Sequence, residues 1–253
     1  MFVKSEGIVL KEIRFRETSK IVTIFSKEYG KVHGMAKGAY RPKNNLISIT
    51  QPFSYSDFSF FKGKNFYHIN QGDLKNSFYP LRENIYKLFY GSYMLELADS
   101  SIVEDESNEK LFQLLLKGLT VLSDLKGDYL KFILAYEIKY ISFLGYKPYL
   151  DKCVLCGQKL EGRDMIFSII SGGILCGNCA YEDLNGFRIN LSMLKTLKLL
   201  LYTPLDKLTD FKINKDIMFI LHDIMVKYIL YSIEKNSFNS LNLFKSIENR
   251  GGN

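Results

Sequence analysis

The sequence predicts an α+β protein with more than one domain, in which a small β-barrel precedes an all-α domain that carries an inserted four-cysteine motif. Short segments rich in β-branched and aromatic residues fill the first 80 residues, helical periodicity follows Pro80, and all four cysteines lie within 27 residues. We therefore expect one domain over residues 1–80 and a second over residues 81–253, with the cysteine motif at 150–182.

The segments before Pro80 are expected to form five strands, because β-branched and aromatic residues alternate with polar ones at near two-residue spacing. Five strands in about 75 residues leave no room for a crossover helix, and the leading candidate is therefore a five-stranded, closed OB-fold barrel. A slip in the alternation near Asp57 indicates a β-bulge. Residues 38–48 are expected to form an extended, exposed loop. The predicted strands are Gly7–Phe15, Lys20–Ser26, Val32–Gly38, Phe53–Phe61 and Phe66–Asn70, with a hairpin turn at 62–65.

Apolar residues recur at helical spacing over most of the remaining chain. Asp105–Asn108 separates the first two predicted helices, and Asp128 is expected to cap the third, which ends at Gly145. The end of the chain, from Arg250, is expected to fray. The helical patterns cover residues 85–95, 111–122, 130–141, 191–201 and 215–233.

The positive charge is confined to the first third of the chain. Residues 1–80 contain 13 Lys and Arg against 6 Asp and Glu, a net charge of +7, whereas residues 81–253 contain 21 of each. This asymmetry favours a polyanion as the partner of the first domain. Apolar stretches are far shorter than the ~18 residues of a membrane span, and no secretory signal precedes the first strand, so a membrane or secreted protein is not expected.

The four cysteines form two C-x2-C pairs, Cys153 with Cys156 and Cys176 with Cys179. Each pair can direct two thiolates at one ion, and the four together match the ligand set of a structural zinc site. Gly157 and the glycine after Cys176 are expected to relieve the tight turns of the two pairs. A hairpin over Met165–Ile170 and Gly173–Leu175, turning at Ser171-Gly172, is expected to join them.

Other uses of the cysteines remain open at this point. Two disulfides would require an oxidising compartment, a redox dithiol needs only one pair, and an iron–sulfur cluster takes the same four ligands. A catalytic zinc is not expected, since four cysteines leave no position for water and no H-x-E motif is present. His33, His68 and His222 are interpreted as ordinary strand and helix residues, and Glu104–Glu106 as a solvated turn. No phosphate-binding loop or nucleophile motif appears, so the sequence points to binding rather than catalysis.

Basic residues are concentrated between residues 11 and 43, where nine cations are offset by only three glutamates. Long cationic side chains at strand ends and in a loop suit contacts to a phosphate backbone. Phe15 and Tyr40 lie among them and either stack on bases or pack on the barrel. Later aromatic residues are expected mostly in the core: Phe53, Tyr55, Phe58, Phe60 and Phe61. The nine cations are Lys11, Arg14, Arg16, Lys20, Lys27, Lys31, Lys37, Arg41 and Lys43.

A series of short motifs resembles the N-terminal signature of the RecO family, bacterial recombination mediators in DNA repair. The helical region, the cysteine quartet, and a C-terminal run with Tyr228 and Phe244-Lys-Ser are also similar to zinc-containing members. The motifs are Gly7-Ile-Val-Leu, Glu17-Thr-Ser-Lys-Ile-Val-Thr-Ile-Phe-Ser, Tyr29-Gly-Lys, Ala36-Lys-Gly-Ala, Arg41-Pro-Lys and Gln51-Pro-Phe.

The resemblance implies a non-enzymatic, cytoplasmic, nucleoid-associated protein that binds single- and double-stranded DNA and anneals complementary strands. It further implies that the protein helps to load RecA onto DNA coated by single-strand-binding protein, with RecR and the acidic C-terminal tail of single-strand-binding protein as protein partners. One structural Zn²⁺ is implied at Cys153, Cys156, Cys176 and Cys179. The DNA contacts that the motifs carry over are Lys20, Lys31, Lys37, Arg41 and Lys43. The local charge adds Arg14 and Arg16, and Tyr40 is added as a residue that can stack on bases.

A second hypothesis is a zinc-ribbon module for protein interaction, for instance in the transcription machinery, whose basic charge is incidental. It differs in expecting DNA binding to survive the loss of Lys37, Arg41 and Lys43.

Overall fold

The computed structural model describes residues 2–63, 67–161 and 164–243. The described residues divide into two compact units. The first contains the residues up to Asp124 together with those from Phe238 onward, and the second contains Leu125–Ser237. Helices follow the strands from Pro80 onward. The helices up to Asp124 lie in the same compact unit as the barrel, so the expected domain division at residue 80 stays a prediction. The predicted hairpin turn at 62–65 lies partly outside the described residues, and the Phe244 motif and the frayed terminus lie wholly outside them.

Five strands close into a barrel in the first unit, which confirms the predicted OB-fold. Their order around the barrel is β1-β2-β3-β5-β4, and a parallel pairing of β3 with β5 closes it. β1 is long enough to pair with β4 through its first half and with β2 through its second, and a register shift between Val9 and Lys11 lies in the β1–β2 pairing. The strands are β1 Phe2–Phe15, β2 Ser19–Ser26, β3 Gly30–Ala36, β4 Tyr55–Lys62 and β5 Tyr67–Asn76.

Alternating side chains of the strands fill the barrel. Val22, Ile24, Phe60 and other apolar residues are almost fully buried in one cluster, because successive side chains of a strand point to opposite faces of the sheet. The slip near Asp57 corresponds to two register shifts between β4 and β5, at Tyr55/Ser56 and at Ser59/Phe60.

The connection between β3 and β4 differs from the extended loop expected over 38–48. It contains a one-turn helix, α1 (Leu46–Ile49), whose Leu46 and Ile49 side chains are buried in the barrel cluster. The turn forms because two apolar residues three apart lie on the same side of a helix and can cover the barrel core together. Residues 40–43 are exposed, as predicted.

Two long helices complete the first unit: α3 (Ile85–Ser101) and α4 (Glu109–Asp124), preceded by the single turn α2 (Pro80–Glu83). The side chain of Asn84 caps α3 by accepting hydrogen bonds from the backbone N–H groups of Tyr86 and Lys87. The predicted break at 105–108 is confirmed.

Aromatic contacts fix α4 on the barrel. The Phe112 ring packs edge-on against Phe25 of β2, with 5.4 Å between the ring centroids. Its centroid lies 6.4 Å from that of Tyr55 of β4. Phe238 likewise packs against Tyr93 of α3 at 5.0 Å, so the described end of the chain returns to the first unit.

The acidic turn between α3 and α4 is exposed, as predicted, but it also holds the barrel. The N–H of Asp105 donates to the carbonyl of Lys31 at 3.2 Å, and its carboxylate accepts from the Tyr67 hydroxyl at 2.8 Å. His33 Nε2 lies 3.0 Å from Glu104 Oε1. The turn therefore docks on β3 and β5 through both backbone and side-chain groups.

The second unit contains three helices and a small sheet of order β7-β6-β8. The predicted hairpin is confirmed as β6 and β7, whereas β8 had not been expected. The predicted Asp128 cap is wrong: Asp128 has a left-handed backbone and no side-chain capping bond, and its carboxylate instead binds the buried ammonium of Lys131 at 2.8 Å. The elements are α5 Tyr129–Phe143, β6 Met165–Ser168, β7 Gly173–Leu175, β8 Phe187–Ile189, α6 Leu191–Tyr202 and α7 Lys215–Ser232, with 3-10 turns at Gly177–Glu182 and Leu205–Asp210. Across the described parts of the chain, no helix is both long and apolar enough to span a membrane.

We expect Gly30→Ala to lower the free energy of unfolding by more than about 2 kcal/mol, measured by chemical denaturation of the first unit's tertiary signal. Gly30 has φ +66°, and a Cβ there would lie 2.0 Å from the carbonyl oxygen of Glu106. The acidic turn would have to leave the barrel to make room.

Gly127→Ala is the matched control, because a Cβ at Gly127 meets no atom within 4 Å. We expect it to change stability by less than about 0.5 kcal/mol. Equal stability of the two variants would contradict the close docking of the turn.

Candidate nucleic-acid interface and metal centre

The four cysteines come together in the second unit. The Sγ atoms of Cys153, Cys156, Cys176 and Cys179 all lie within 4.8 Å of one another, and those of Cys156 and Cys176 are 3.7 Å apart. Four sulfurs at about 2.3 Å from a central zinc would be separated by about 3.8 Å along each tetrahedral edge. The cluster therefore has the dimensions of a tetrahedral metal site. Within the described ranges it is also the only such grouping of His, Cys, Asp and Glu residues.

Backbone hydrogen bonds shape both halves of this cluster. Gly157 N–H donates to the Cys153 carbonyl at 2.9 Å, and Gly157 has φ +70°, which confirms the role expected for this glycine. Cys179 N–H closes the second half by donating to the Cys176 carbonyl at 2.9 Å. Gly177 begins the following 3-10 turn without a positive φ, and a Cβ there would make only ordinary contacts, so its expected role is not seen.

The thiols strongly affect one another's ionisation. Burial opposes ionisation of Cys153, but backbone N–H groups of Cys156, Cys176 and Leu155 outweigh it and lower the pKa of Cys153 to about 6. The pKa of Cys179 is raised to about 12, chiefly by its hydrogen bond with Cys156 and by burial. Four thiolates this close repel one another unless a cation lies between them, so the donor set suits a metal ion.

The basic residues of the barrel do not share one face. Lys11 forms an ion pair with Asp99 at 2.6 Å, and Lys27 lies 3.4 Å from Glu109. Lys31 donates to the backbone carbonyl of Asp99 at 2.8 Å. These three cations face helices α3 and α4 of their own unit.

Lys20, expected to contact DNA, is turned inward instead. It is only 2% exposed, it pairs with Glu12, and its ammonium lies 5.4 Å from the centre of the Tyr40 ring. Its position fits a supporting role beneath Tyr40, since a buried ammonium cannot reach a phosphate without losing its partners.

The other predicted contacts surround one exposed loop. Arg14, Arg16, Lys37, Arg41 and Lys43 are all exposed, and none of them forms an ion pair with a described residue. The Arg14 guanidinium lies 5.6 Å from the centre of the Tyr40 ring, and that of Arg16 lies 5.2 Å from Phe15. This group of five cations is called the loop cations below.

The loop that carries three of them is anchored at both ends. Tyr40 N–H donates to the Thr18 carbonyl at 2.9 Å, and the Asn44 side chain donates to the Gly38 carbonyl at 2.8 Å. The Tyr40 bond ties the loop to the turn between β1 and β2, and Gly38 N–H donates to the Ser19 hydroxyl at 3.2 Å beside that turn. The Asn44 bond closes the loop on itself. The loop cations are thereby held near one another although they are distant in sequence.

Beside the loop lies an open groove of about 790 Å³ that the sequence did not predict. Lys37 and Lys43 line it together with Phe2, Phe61 and His68. Phe61 was expected in the core, but it is 40% exposed. The alternation of β4 carries the missed signal, because Phe58 and Phe60 point inward and the next residue must point outward.

A family model described as "Recombination protein O N terminal" matches residues 1–78, and one described as "Recombination protein O C terminal" matches residues 82–242.

Among curated proteins, the chain is 36% identical to the "DNA repair protein RecO" of Alkaliphilus metalliredigens over 98% of this chain and 100% of that protein. It is 33% identical to that of Acetivibrio thermocellus over 98% of both chains, and 38% identical to that of Bacillus pumilus over 82% of this chain and 80% of that protein. The two family models together match nearly the whole chain, and the chain belongs to the RecO family of DNA repair proteins.

Proposed function

We propose that this chain is a DNA-binding recombination mediator that binds single- and double-stranded DNA and anneals complementary strands. The observation that carries the proposal is the group of loop cations, which are exposed and unpaired among the described residues. Basic side chains without acidic partners attract the phosphate backbone and release its counterions. The family's role in DNA repair supports the same proposal.

Annealing follows from charge neutralisation. Two complementary strands repel each other through their phosphates, and a cationic surface lowers that repulsion while leaving the bases free to pair. This function needs no reacting side chain, and it makes the protein a binding protein rather than an enzyme.

Protein partners belong to the proposal on the strength of family membership. They are RecR, the acidic C-terminal tail of single-strand-binding protein, and RecA as the recombinase to be loaded. Residues 81–253 are neutral overall, with 21 cations and 21 anions. Their net charge does not attract DNA, so DNA does not compete electrostatically with protein partners for this part of the chain. We place the protein in the cytoplasm, at the nucleoid.

The cysteine cluster is proposed to hold one structural Zn²⁺. Cys153, Cys156, Cys176 and Cys179 would supply all four ligands, and the ion would stabilise the second unit by linking the two halves of the motif. A filled shell leaves no open position at the metal, which supports a structural role.

The first test of the proposal removes three loop cations. We expect the triple variant Lys37→Ala, Arg41→Ala, Lys43→Ala to bind single-stranded DNA at least about tenfold more weakly in low salt. Losing three phosphate contacts should reduce the slope of log affinity against log salt by about 2. Fluorescence anisotropy with a labelled oligonucleotide at several salt concentrations measures both quantities.

The control triple is Lys195→Ala, Lys207→Ala, Lys212→Ala, which removes the same charge from exposed sites in the second unit. We expect its affinity and slope to match those of the unaltered protein. If both triples weaken binding equally, only net charge matters; if the loop triple binds normally, the alternative of incidental basicity is favoured.

The second test concerns the metal. We expect one zinc per chain by elemental analysis, and we expect Cys176→Ser to lose it and to exchange backbone amides rapidly over 150–182, because the motif loses its cross-link. Cobalt substitution of the unaltered protein should give the charge-transfer absorption of thiolate ligands.

Visible absorption of the protein as purified separates zinc from an iron–sulfur cluster, which is coloured. A Cys176→Ser chain that is metal-free yet as heat-stable as the unaltered protein would contradict the structural role.

A further inference from the structure

We propose that the groove beside the loop is a binding site for unpaired nucleobases, with Phe2 and Phe61 as its stacking platform. This inference rests on the proposed function and specifies which part of the DNA binds in the groove. It separates two tasks on the barrel: the loop cations hold phosphates, and the groove distinguishes a single strand from a duplex.

The stacking platform is an aromatic pair at the paired ends of β1 and β4. Phe2 and Phe61 are direct cross-strand partners, and their ring centroids lie 5.3 Å apart with 65° between the ring planes. Phe2 is 72% exposed and Phe61 is 40% exposed. The edge-to-face contact fixes both rings and leaves ring faces available to a ligand with its own π surface.

The rest of the groove supplies the other groups that a nucleotide needs. Met35 adds apolar surface, the exposed Asn45 and Asn70 add side-chain amides, and Lys37 adds a cation that the loop brings to its edge. Amides donate and accept hydrogen bonds on base edges, while a lysine binds the phosphate that links neighbouring bases. None of the described residues that line the groove is acidic.

A second depression on the same barrel has the opposite character. It has a volume of about 350 Å³, and its lining includes Glu6, Glu28, Asp57 and Asp73. Lys75 binds both Glu6 and Asp57, but the four carboxylates outnumber Lys75 and Lys4, so this surface stays negative. A strand that carries phosphates is therefore repelled there and attracted to the groove.

Charge and shape together favour unpaired bases as the occupant. In a duplex the faces of the bases are stacked on one another and cannot reach Phe61, whereas a single strand can turn its bases outward onto aromatic rings. Stacking on a protein ring also tolerates any base, since every base has a π face. The groove therefore distinguishes single-stranded from duplex DNA but does not distinguish one base sequence from another.

The test measures Phe61→Ala on three labelled ligands: oligothymidylate, a phosphodiester strand of the same length with abasic sites, and a hairpin duplex. We expect binding of oligothymidylate to weaken by about tenfold, since base–aromatic stacking of this order is lost. Binding to the abasic strand and to the duplex should change by less than twofold. Phe61→Trp should retain the affinity for oligothymidylate.

Phe219→Ala is the matched control, because Phe219 is 60% exposed on α7 in the other unit. It should leave all three affinities unchanged. Equal weakening of Phe61→Ala on all three ligands would overturn the inference, because the residue would then act through the barrel or the phosphates. Unchanged affinity of Phe61→Ala for oligothymidylate would overturn it as well.

The two proposals can fail separately. If the unaltered protein binds none of the three ligands in a salt-dependent way, the proposed function itself is wrong. If it binds all three but Phe61→Ala makes no distinction between them, the proposed function stands and only the base-binding groove is refuted.

Discussion

Ion pairs between the barrel and the helices of the first unit determine which of the barrel's cations remain for a ligand. Asp99 and Glu109 engage Lys11 and Lys27, and the carbonyl of Asp99 engages Lys31. The two ion pairs cancel charge on one side of the barrel, and the hydrogen bond holds the Lys31 ammonium on that side. The loop cations and the groove then form the positive side. The net charge of +7 is therefore concentrated on one side of the barrel instead of being spread over the surface.

Contacts between the barrel and helices α3 and α4 also join them into one compact unit that is larger than the barrel. α4 contributes Phe112 to an aromatic cluster with Phe25, and the acidic turn closes over Gly30. The barrel therefore depends on the helices both for covering apolar surface and for arranging charge. In the second unit the proposed zinc would have the comparable role, because it would link segments too short to bury a core of their own.

Local patterns predicted most of the fold. The barrel strands follow from alternating burial, the helices from apolar spacing, and the cysteine cluster from two C-x2-C pairs whose sulfurs converge in the structure. The positions that could not be predicted depend on contacts across the chain. Lys20 is turned inward by Glu12 and Tyr40, and α1 forms because Leu46 and Ile49 meet a core built by distant strands.

The candidate site shows the same division. Charge density identified the segment that carries the loop cations, but sequence alone could not tell which lysines are occupied by Asp99 or Glu109. Phe2 and Phe61 were missed because they become partners only through the pairing of β1 with β4. Strand pairing thus creates the groove, and no single segment contains its pattern.

The central claim is that DNA binds the side of the barrel that the helices leave free. Hydrogen exchange of the full chain, followed by mass spectrometry with and without a single-stranded oligonucleotide, tests it most directly. If DNA binds there, amide exchange slows on DNA binding over residues 35–45, 58–63 and 67–70 and stays unchanged over 99–109. Protection confined to 99–109 or to the second unit, with no change around the loop and the groove, would contradict it.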